Sequence, residues 1–289
     1  MKNTLIMGLL IMLLHGSQMA HALQTNPDTS ATHKQAHTFY TGAGYGSNLI
    51  YYGTSVSGNQ PYYSAELLYS WKGGIWAGAG LFHLPGNQPF FSFIDLSAGY
   101  NYVFNKVFDA GFSISQYFGG QSLDTTFYSS YTFLSANLGI DWVLAYTSVS
   151  PGWMLAEENS FYLLLDNSHF FRTPVLGEKG NYFSFNPGIS LMFGSYAWLT
   201  QIRRQGSGGG GGGGQGPGPG GTKAYYYTTT ELREDFRLLD LQLGFPMAFN
   251  TKRLSLEFEP AYFFNFIEDE NGGKNGQFYF TAGIFLKIN

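Results

Sequence analysis

Phe183-Ser184-Phe185-Asn186-Pro187-Gly188-Ile189-Ser190-Leu191-Met192-Phe193 alternates large apolar residues with small polar ones. Odd positions carry Phe183, Phe185, Pro187, Ile189, Leu191 and Phe193. Between them lie Ser184, Asn186, Gly188, Ser190 and Met192. Side chains on a strand point alternately to its two faces, so this period of two makes one face apolar and the other polar. The pattern recurs. Leu239, Leu241, Leu243, Phe245, Met247 and Phe249 alternate with Asp240, Gln242 and Gly244. Leu254, Leu256, Phe258, Pro260, Tyr262, Phe264 and Phe266 alternate with Ser255, Glu257, Glu259, Ala261 and Asn265. Phe278, Phe280, Ala282, Ile284, Leu286 and Ile288 form a last apolar face, and Phe108–Phe118 repeats the motif earlier in the chain. A soluble sandwich also alternates, but its polar face meets water and carries Lys, Glu and Arg. Here the polar face is mostly Ser, Gly, Asn and Thr, as in a narrow lumen.

Composition points the same way. Of 289 residues, 18% are aromatic and only 12% charged, against about 25% charged in typical soluble domains. The N-terminus has the parts of an export signal: Lys2, the apolar run Leu5–Leu14, and Ala20-His21-Ala22 as the small-x-small cleavage pattern. That run is shorter than the roughly 20 residues a membrane helix needs. Residues 1–22 are expected to be a signal peptide and 23–36 a disordered periplasmic lead-in. Beyond Lys2 the chain has 14 Lys and Arg against 19 Asp and Glu, a net of −5, which argues against a nucleic-acid partner. There are no cysteines, which excludes disulfide scaffolds, thiolate chemistry and a lipid-anchored precursor. No later segment reads as a spanning helix, so an exported, aromatic-rich and charge-poor chain is left with the closed barrel as its spanning structure.

Ser160–Phe171 followed by Phe183–Gly194 resembles the outer-membrane barrel proteins common in Bacteroidota. The likeness is carried by pattern, chiefly in the C-terminal half. The chain ends Lys287-Ile288-Asn289 rather than on the terminal aromatic residue frequent in other Gram-negative barrels. The resemblance implies an all-β, closed antiparallel transmembrane barrel in a bacterial outer membrane, and no substrate.

Tight turns at 72–74, 105–106 and 250–253 alternate with longer polar stretches at 53–60, 85–89, 119–126, 172–180, 203–230 and 268–276. Placing turns in the periplasm and loops outside predicts twelve strands across 37–289, near 37–52, 61–72, 75–84, 90–104, 107–118, 127–142, 159–171, 181–194, 196–203, 233–249, 253–266 and 277–289. Trp71, Tyr102 and Trp142 then fall in a periplasmic aromatic girdle. Residues 143–158 are too long for a tight turn and could hold another hairpin, so 14 strands remains open, as does 10. Gly206–Gly221 contains seven consecutive glycines and buries no apolar area, so a disordered extracellular loop is expected. It lacks the Gly-Lys-Ser/Thr ending of a phosphate-binding loop.

Candidate chemistry is sparse. No His pair has zinc-site spacing and no Cys exists, so neither metal nor cofactor is expected. Asp166, Ser168 and His169 form the only close Ser/His/Asp group, with His83 on another strand. Neighbouring strand residues face opposite ways, so this is not the geometry of a hydrolase triad. The inward parity collects Glu66, Lys72, Asp95, Asp109, Asp141, Asp240, Arg253, Glu257 and Glu259, with Lys287 also inward and Arg237 outward at the extracellular rim. These charges either pair and fill the barrel or line a cation-preferring pore. The reading placed first is a non-enzymatic barrel with a structural or envelope-complex role, whose partners are outer-membrane lipid and other outer-membrane or periplasmic proteins. The alternatives are a small passive channel for cations or neutral solutes, and a lipid-modifying hydrolase.

Overall fold

The computed structural model describes residues 37–51, 54–55, 57, 60–86, 90–119, 130–155, 159–178, 180–206, 225–266 and 276–288. Among them, twelve antiparallel strands close a transmembrane barrel. They are β1 (His37–Gly46), β2 (Tyr62–Trp71), β3 (Ile75–His83), β4 (Phe93–Val103), β5 (Phe108–Gly119) and β6 (Tyr131–Asp141). Next come β7 (Tyr146–Leu155), β8 (Ser160–Ser168, resuming at Phe171–Arg172) and β9 (Tyr182–Phe185, resuming at Gly188–Gly206). The last are β10 (Tyr225–Gly244, resuming at Met247–Asn250), β11 (Leu254–Asn265) and β12 (Gly276–Ile288). Each strand pairs with its successor, and β12 returns to β1 from Phe39↔Ile288 to Gly46↔Thr281. Closure leaves no unpaired edge in the wall.

Short connections at 72–74, 104–107, 142–145 and 251–253 lie at the end that holds His37 and Ile288, here the turn end; the opposite end is the loop end. Side-chain hydrogen bonds close these turns. Asn105 Oδ1 accepts from the Val107 and Phe108 amides at 2.7 and 3.0 Å, and Thr251 Oγ1 accepts from the Leu254 amide at 2.9 Å.

The count of twelve agrees with the sequence reading, but the membership differs. Tyr146–Leu155 is a full strand. Its Ser, Pro and Gly residues look like loop composition, although Thr147, Val149, Pro151, Trp153 and Leu155 alternate correctly. The stretches expected as separate strands, 181–194 and 196–203, are one strand. β9 pairs with β8 only as far as Gly194↔Tyr162 but with β10 out to Gly206↔Tyr225. Residues 195–206 and 225–237 therefore form a two-stranded stalk beyond the wall at the loop end. As a result, the segment 172–180, expected outside, joins β8 to β9 at the turn end. β1 stops at Gly46 rather than near 52, because Ser47 is clamped to β12. The Ser47 amide donates to Phe280 O, and the Phe280 amide donates to Ser47 Oγ, both at 3.0 Å. The expected signal peptide, lead-in and all of the glycine tract except Gly206 lie outside the described residues.

The wall sorts side chains by parity. Phe39, Leu67, Leu96, Phe112, Leu138, Trp153, Leu256 and Ile284 are exposed on the outer face. No Asp, Glu, Lys or Arg takes an outward position among the described wall residues. Ionised groups facing lipid are costly and apolar ones are not, so this surface suits a bilayer.

One irregularity resets the parity. Met192 pairs with Asp240 and Phe193 with Leu238, leaving Leu239 as a β-bulge. Leu239 was expected on the lipid face. It is only 4% exposed and points inward beside Gly194. Arg237, expected outward, pairs with the inward Gly194 and shares its face.

Candidate functional site

The inward face has two different halves. Toward the loop end it is packed with rings. Tyr62, Phe82 and Phe93 from β2–β4, and Tyr117, Tyr131 and Phe133 from β5 and β6, are all buried. Phe82 stacks on Phe93 with centroids 4.5 Å apart, and Tyr117 on Tyr131 at 4.6 Å. Ala261, Phe263 and Tyr279 form a buried cluster on β11 and β12. Glycines seat these rings. A Cβ on Gly46 would lie 2.0 Å from the Tyr62 ring, one on Gly152 2.2 Å from Phe133, and one on Gly194 2.5 Å from Tyr162.

Hydrogen bonds hold the described parts of two loop-end connections. Asn48 Nδ2 donates to Gln277 Oε1 at 3.3 Å, Ser57 Oγ donates to Asn48 Oδ1 at 2.8 Å, and the Leu49 amide donates to Ser57 Oγ at 3.0 Å. The Leu84 amide donates to the fully buried Ser92 Oγ at 2.9 Å. The sequence reading foresaw a polar lumen and missed the aromatic layer.

Toward the turn end the lumen opens into a cavity of about 390 Å³. Glu66, Asp166, Glu257 and Glu259 line it, with Lys252, Arg253 and Lys287 at its mouth. Glu66 on β2 and Glu257 on β11 are separated by β1 and β12, whose inward residues here include Gly42, Gly44 and Gly283. The result is a trough with acidic walls. Serines hold the carboxylates: Ser64 Oγ donates to Glu66 at 3.3 Å, Ser255 Oγ to Glu257 at 2.9 Å, and Ser190 Oγ to Asp166.

The other sequence candidates are scattered. Asp95 lies inward on β4 with its carboxyl over Gly80. Asp109 accepts from the Tyr146 hydroxyl at 3.0 Å. Asp240 is 4% exposed, and its Oδ2 has no hydrogen-bond partner. Asp141, at the end of β6, is exposed and accepts from the Val143 amide at 2.7 Å. Lys72 and Arg253, expected on the inward face, are exposed turn residues, because β2 ends at Trp71 and β11 begins at Leu254, and of the two only Arg253 reaches the cavity mouth.

Most of the inward carboxylates make no ion pair that would fill the barrel. Among the described residues, none of Glu66, Asp95, Asp109, Asp166, Asp240 and Glu257 is ion-paired with a Lys or Arg. Rings, not charges, do the filling.

The Ser/His/Asp group does not assemble either. Asp166 and Ser168 face the lumen near the turn end, and the hydroxyl on Asp166 belongs to Ser190. His169 is exposed and tilts against Phe171. His83 sits at the loop end of β3, its Nδ1 2.5 Å from Phe90 O.

No family model matches the chain, and no curated protein matches it. Among solved structures it is similar to the KdgM porin, at 8% identity over 88% of this chain and 99% of that one, with a TM-score of 0.47. A NanC porin structure aligns at 8% identity over 86% and 100% of the two chains, with a TM-score of 0.42. The β-domain of the Bordetella autotransporter BrkA aligns at 13% identity over 87% and 99%, with a TM-score of 0.40.

Proposed function

We propose that this protein is a bacterial outer-membrane channel of restricted bore, preferring cations and neutral solutes, and held closed by the aromatic layer in the loop-end half of its lumen. The observation that carries this reading is the acidic lining of the cavity, in which Glu66, Asp166 and Glu257 have no Lys or Arg partner among the described residues. A barrel built only as a membrane pillar would fill its interior with apolar groups or neutralise its carboxylates. Uncompensated carboxylates along a lumen instead raise the local cation concentration and select by sign. A twelve-stranded barrel lies between the side-chain-filled eight-stranded type and the open 16-stranded porins. One half packed and one half open fits that intermediate size.

Planar-bilayer recording tests both parts. The native protein is expected to show rare, small conductance steps. Replacing Tyr62, Tyr117 and Phe133 by Ala removes the centre of the layer and is expected to give frequent larger steps with cation preference. Adding Glu257→Gln and Glu259→Gln to that background is expected to lower the preference at least twofold. Large steady conductance in the native protein would reject the closed layer. Anion preference in the opened variant would reject the acidic selector.

A further inference from the structure

Prolines in the described wall strands occur only at 151, 187, 246 and 260, on or between the segments of β7, β9, β10 and β11. β1–β6 and β12 contain none. Three of the four lie on two adjacent register rungs, Pro187 and Pro260 on one and Pro246 on the next toward the turn end. His169 faces Pro187, Asn186 faces Pro246, and Phe245 faces Pro260, as fixed by the flanking pairs Ser168↔Gly188, Gly188↔Gly244, Phe185↔Met247 and Gly244↔Ala261.

Hydrogen-bonded antiparallel pairs normally exchange two bonds. At each of these positions one bond is present: His169 N to Pro187 O at 3.0 Å, Asn186 N to Pro246 O at 2.9 Å, and Phe245 N to Pro260 O at 3.0 Å. The reciprocal bond cannot form, because proline has no N–H. Three consecutive strand junctions, β8–β9, β9–β10 and β10–β11, are therefore weakened side by side. The strands themselves break there, at 169–170, 186–187 and 245–246.

A proline within a central strand is ordinarily avoided, and lost backbone bonds are most costly where the surroundings are apolar. Three prolines on two adjacent rungs mark a seam in the wall. Behind it lies the cavity: Ser168, Phe170, Asn186, Gly188, Gly244 and Pro246 all line it. In front of it, Pro187, Phe245 and Pro260 take the outward parity of the apolar surface.

From this geometry we infer a lateral entrance: an amphiphile with a protonated amine in its polar end enters the cavity from the bilayer by parting the wall along this seam, leaving its alkyl part in lipid. The amine meets Asp166, Glu66 and Glu257, which have no Lys or Arg partner among the described residues. The alkyl part stays against Phe185, Ile189 and Leu243, outward residues beside the seam. This inference does not require the loop-end layer to open, so it stands or falls separately from channel activity.

The test uses the full chain in lipid nanodiscs containing phosphatidylethanolamine with a photoreactive group near the head of its acyl chain. After irradiation, mass spectrometry locates the adducts. Adducts are expected on inward residues such as Ser184 and Ser255 as well as on outward ones. The protein has no cysteine, so a lock can be added cleanly. Ile189 and Leu243 face each other two rungs from the seam in a pair that does not exchange backbone bonds. Ile189→Cys with Leu243→Cys is expected to cut inward adducts at least fivefold when oxidised, with recovery on reduction, while heat-modifiable gel migration reports the fold in both states. Pro187→Val with Pro260→Val restores two donors and is expected to cut them without any thiol. Absence of inward adducts in the native protein would overturn the proposal. So would inward adducts unaffected by oxidation and by the valine pair, which would mean entry through the turn-end mouth. Equal inward labelling by the matching phosphatidylglycerol probe would overturn the requirement for an amine.

Discussion

Gly46 shows how single residues set this interior. It pairs directly with Tyr62, and the ring lies where any side chain at 46 would stand. Tyr62 is 2% exposed and has little room to retreat. Gly46→Val is therefore expected to destabilise the barrel by about 1–3 kcal/mol, the usual cost of overpacking, read as a lower midpoint in urea unfolding from detergent. Ala43→Val, outward on the same strand, adds methyls toward lipid and is expected to stay within about 0.5 kcal/mol of the native protein. Equal destabilisation by the two changes would mean that the ring is not seated on the glycine. The same logic makes the lumenal glycines beside Phe133 and Tyr162 packing residues rather than flexible ones.

At the scale of the strand, the bulge in β10 is the decisive feature. The wall below it runs with even positions inward, from Asp240 to Gly244; above it odd positions are inward, as at Arg237. Deleting Leu239 converts the bulge into regular pairing without moving any other residue to the opposite face. The variant is expected to insert and to keep heat-modifiable migration on gels, losing only the packing of one leucine. Deleting Leu241 instead turns Asp240 toward lipid, and a one-residue slip moves the whole preceding face with it. That variant is expected to fail in membrane assembly. If both deletions assembled equally well, parity in β10 would not be set by the bulge.

For the whole molecule, the alternation of connections decides which end faces which compartment. The β9–β10 stalk projects from the loop end, while 173–181 belongs to the turn end with the first and last strand ends. In the proposed outer-membrane orientation, a protease site placed between Gly206 and Tyr225 is expected to be cut in intact cells. One placed at Gly177, whose φ of +66° marks a turn position open enough for insertion, is expected to be cut only after the outer membrane is permeabilised. The reverse pattern would invert the barrel. Lengthening either connection should hardly affect folding, because loop closure depends only logarithmically on length.

Period-two patterning, low charge and abundant aromatic residues determined the all-β barrel, the lipid-facing side of most strands and the inward placement of Glu66, Asp95, Glu257 and Glu259. These follow from a local rule: neighbouring residues on a strand face opposite ways, and lipid rejects charge. The aromatic layer was half legible. Tyr62-Tyr63, Tyr117-Phe118 and Phe263-Phe264 are adjacent ring pairs near the loop end, and on a strand one member of each must turn inward. Strand membership around 143–206, the inward turn of Leu239 and Arg237, and the gathering of Pro187, Pro246 and Pro260 onto two adjacent rungs came only from the tertiary structure. Each depends on register between strands distant in sequence. A bulge or a shared row exists only once two chains lie side by side, and no local pattern of residues encodes that offset.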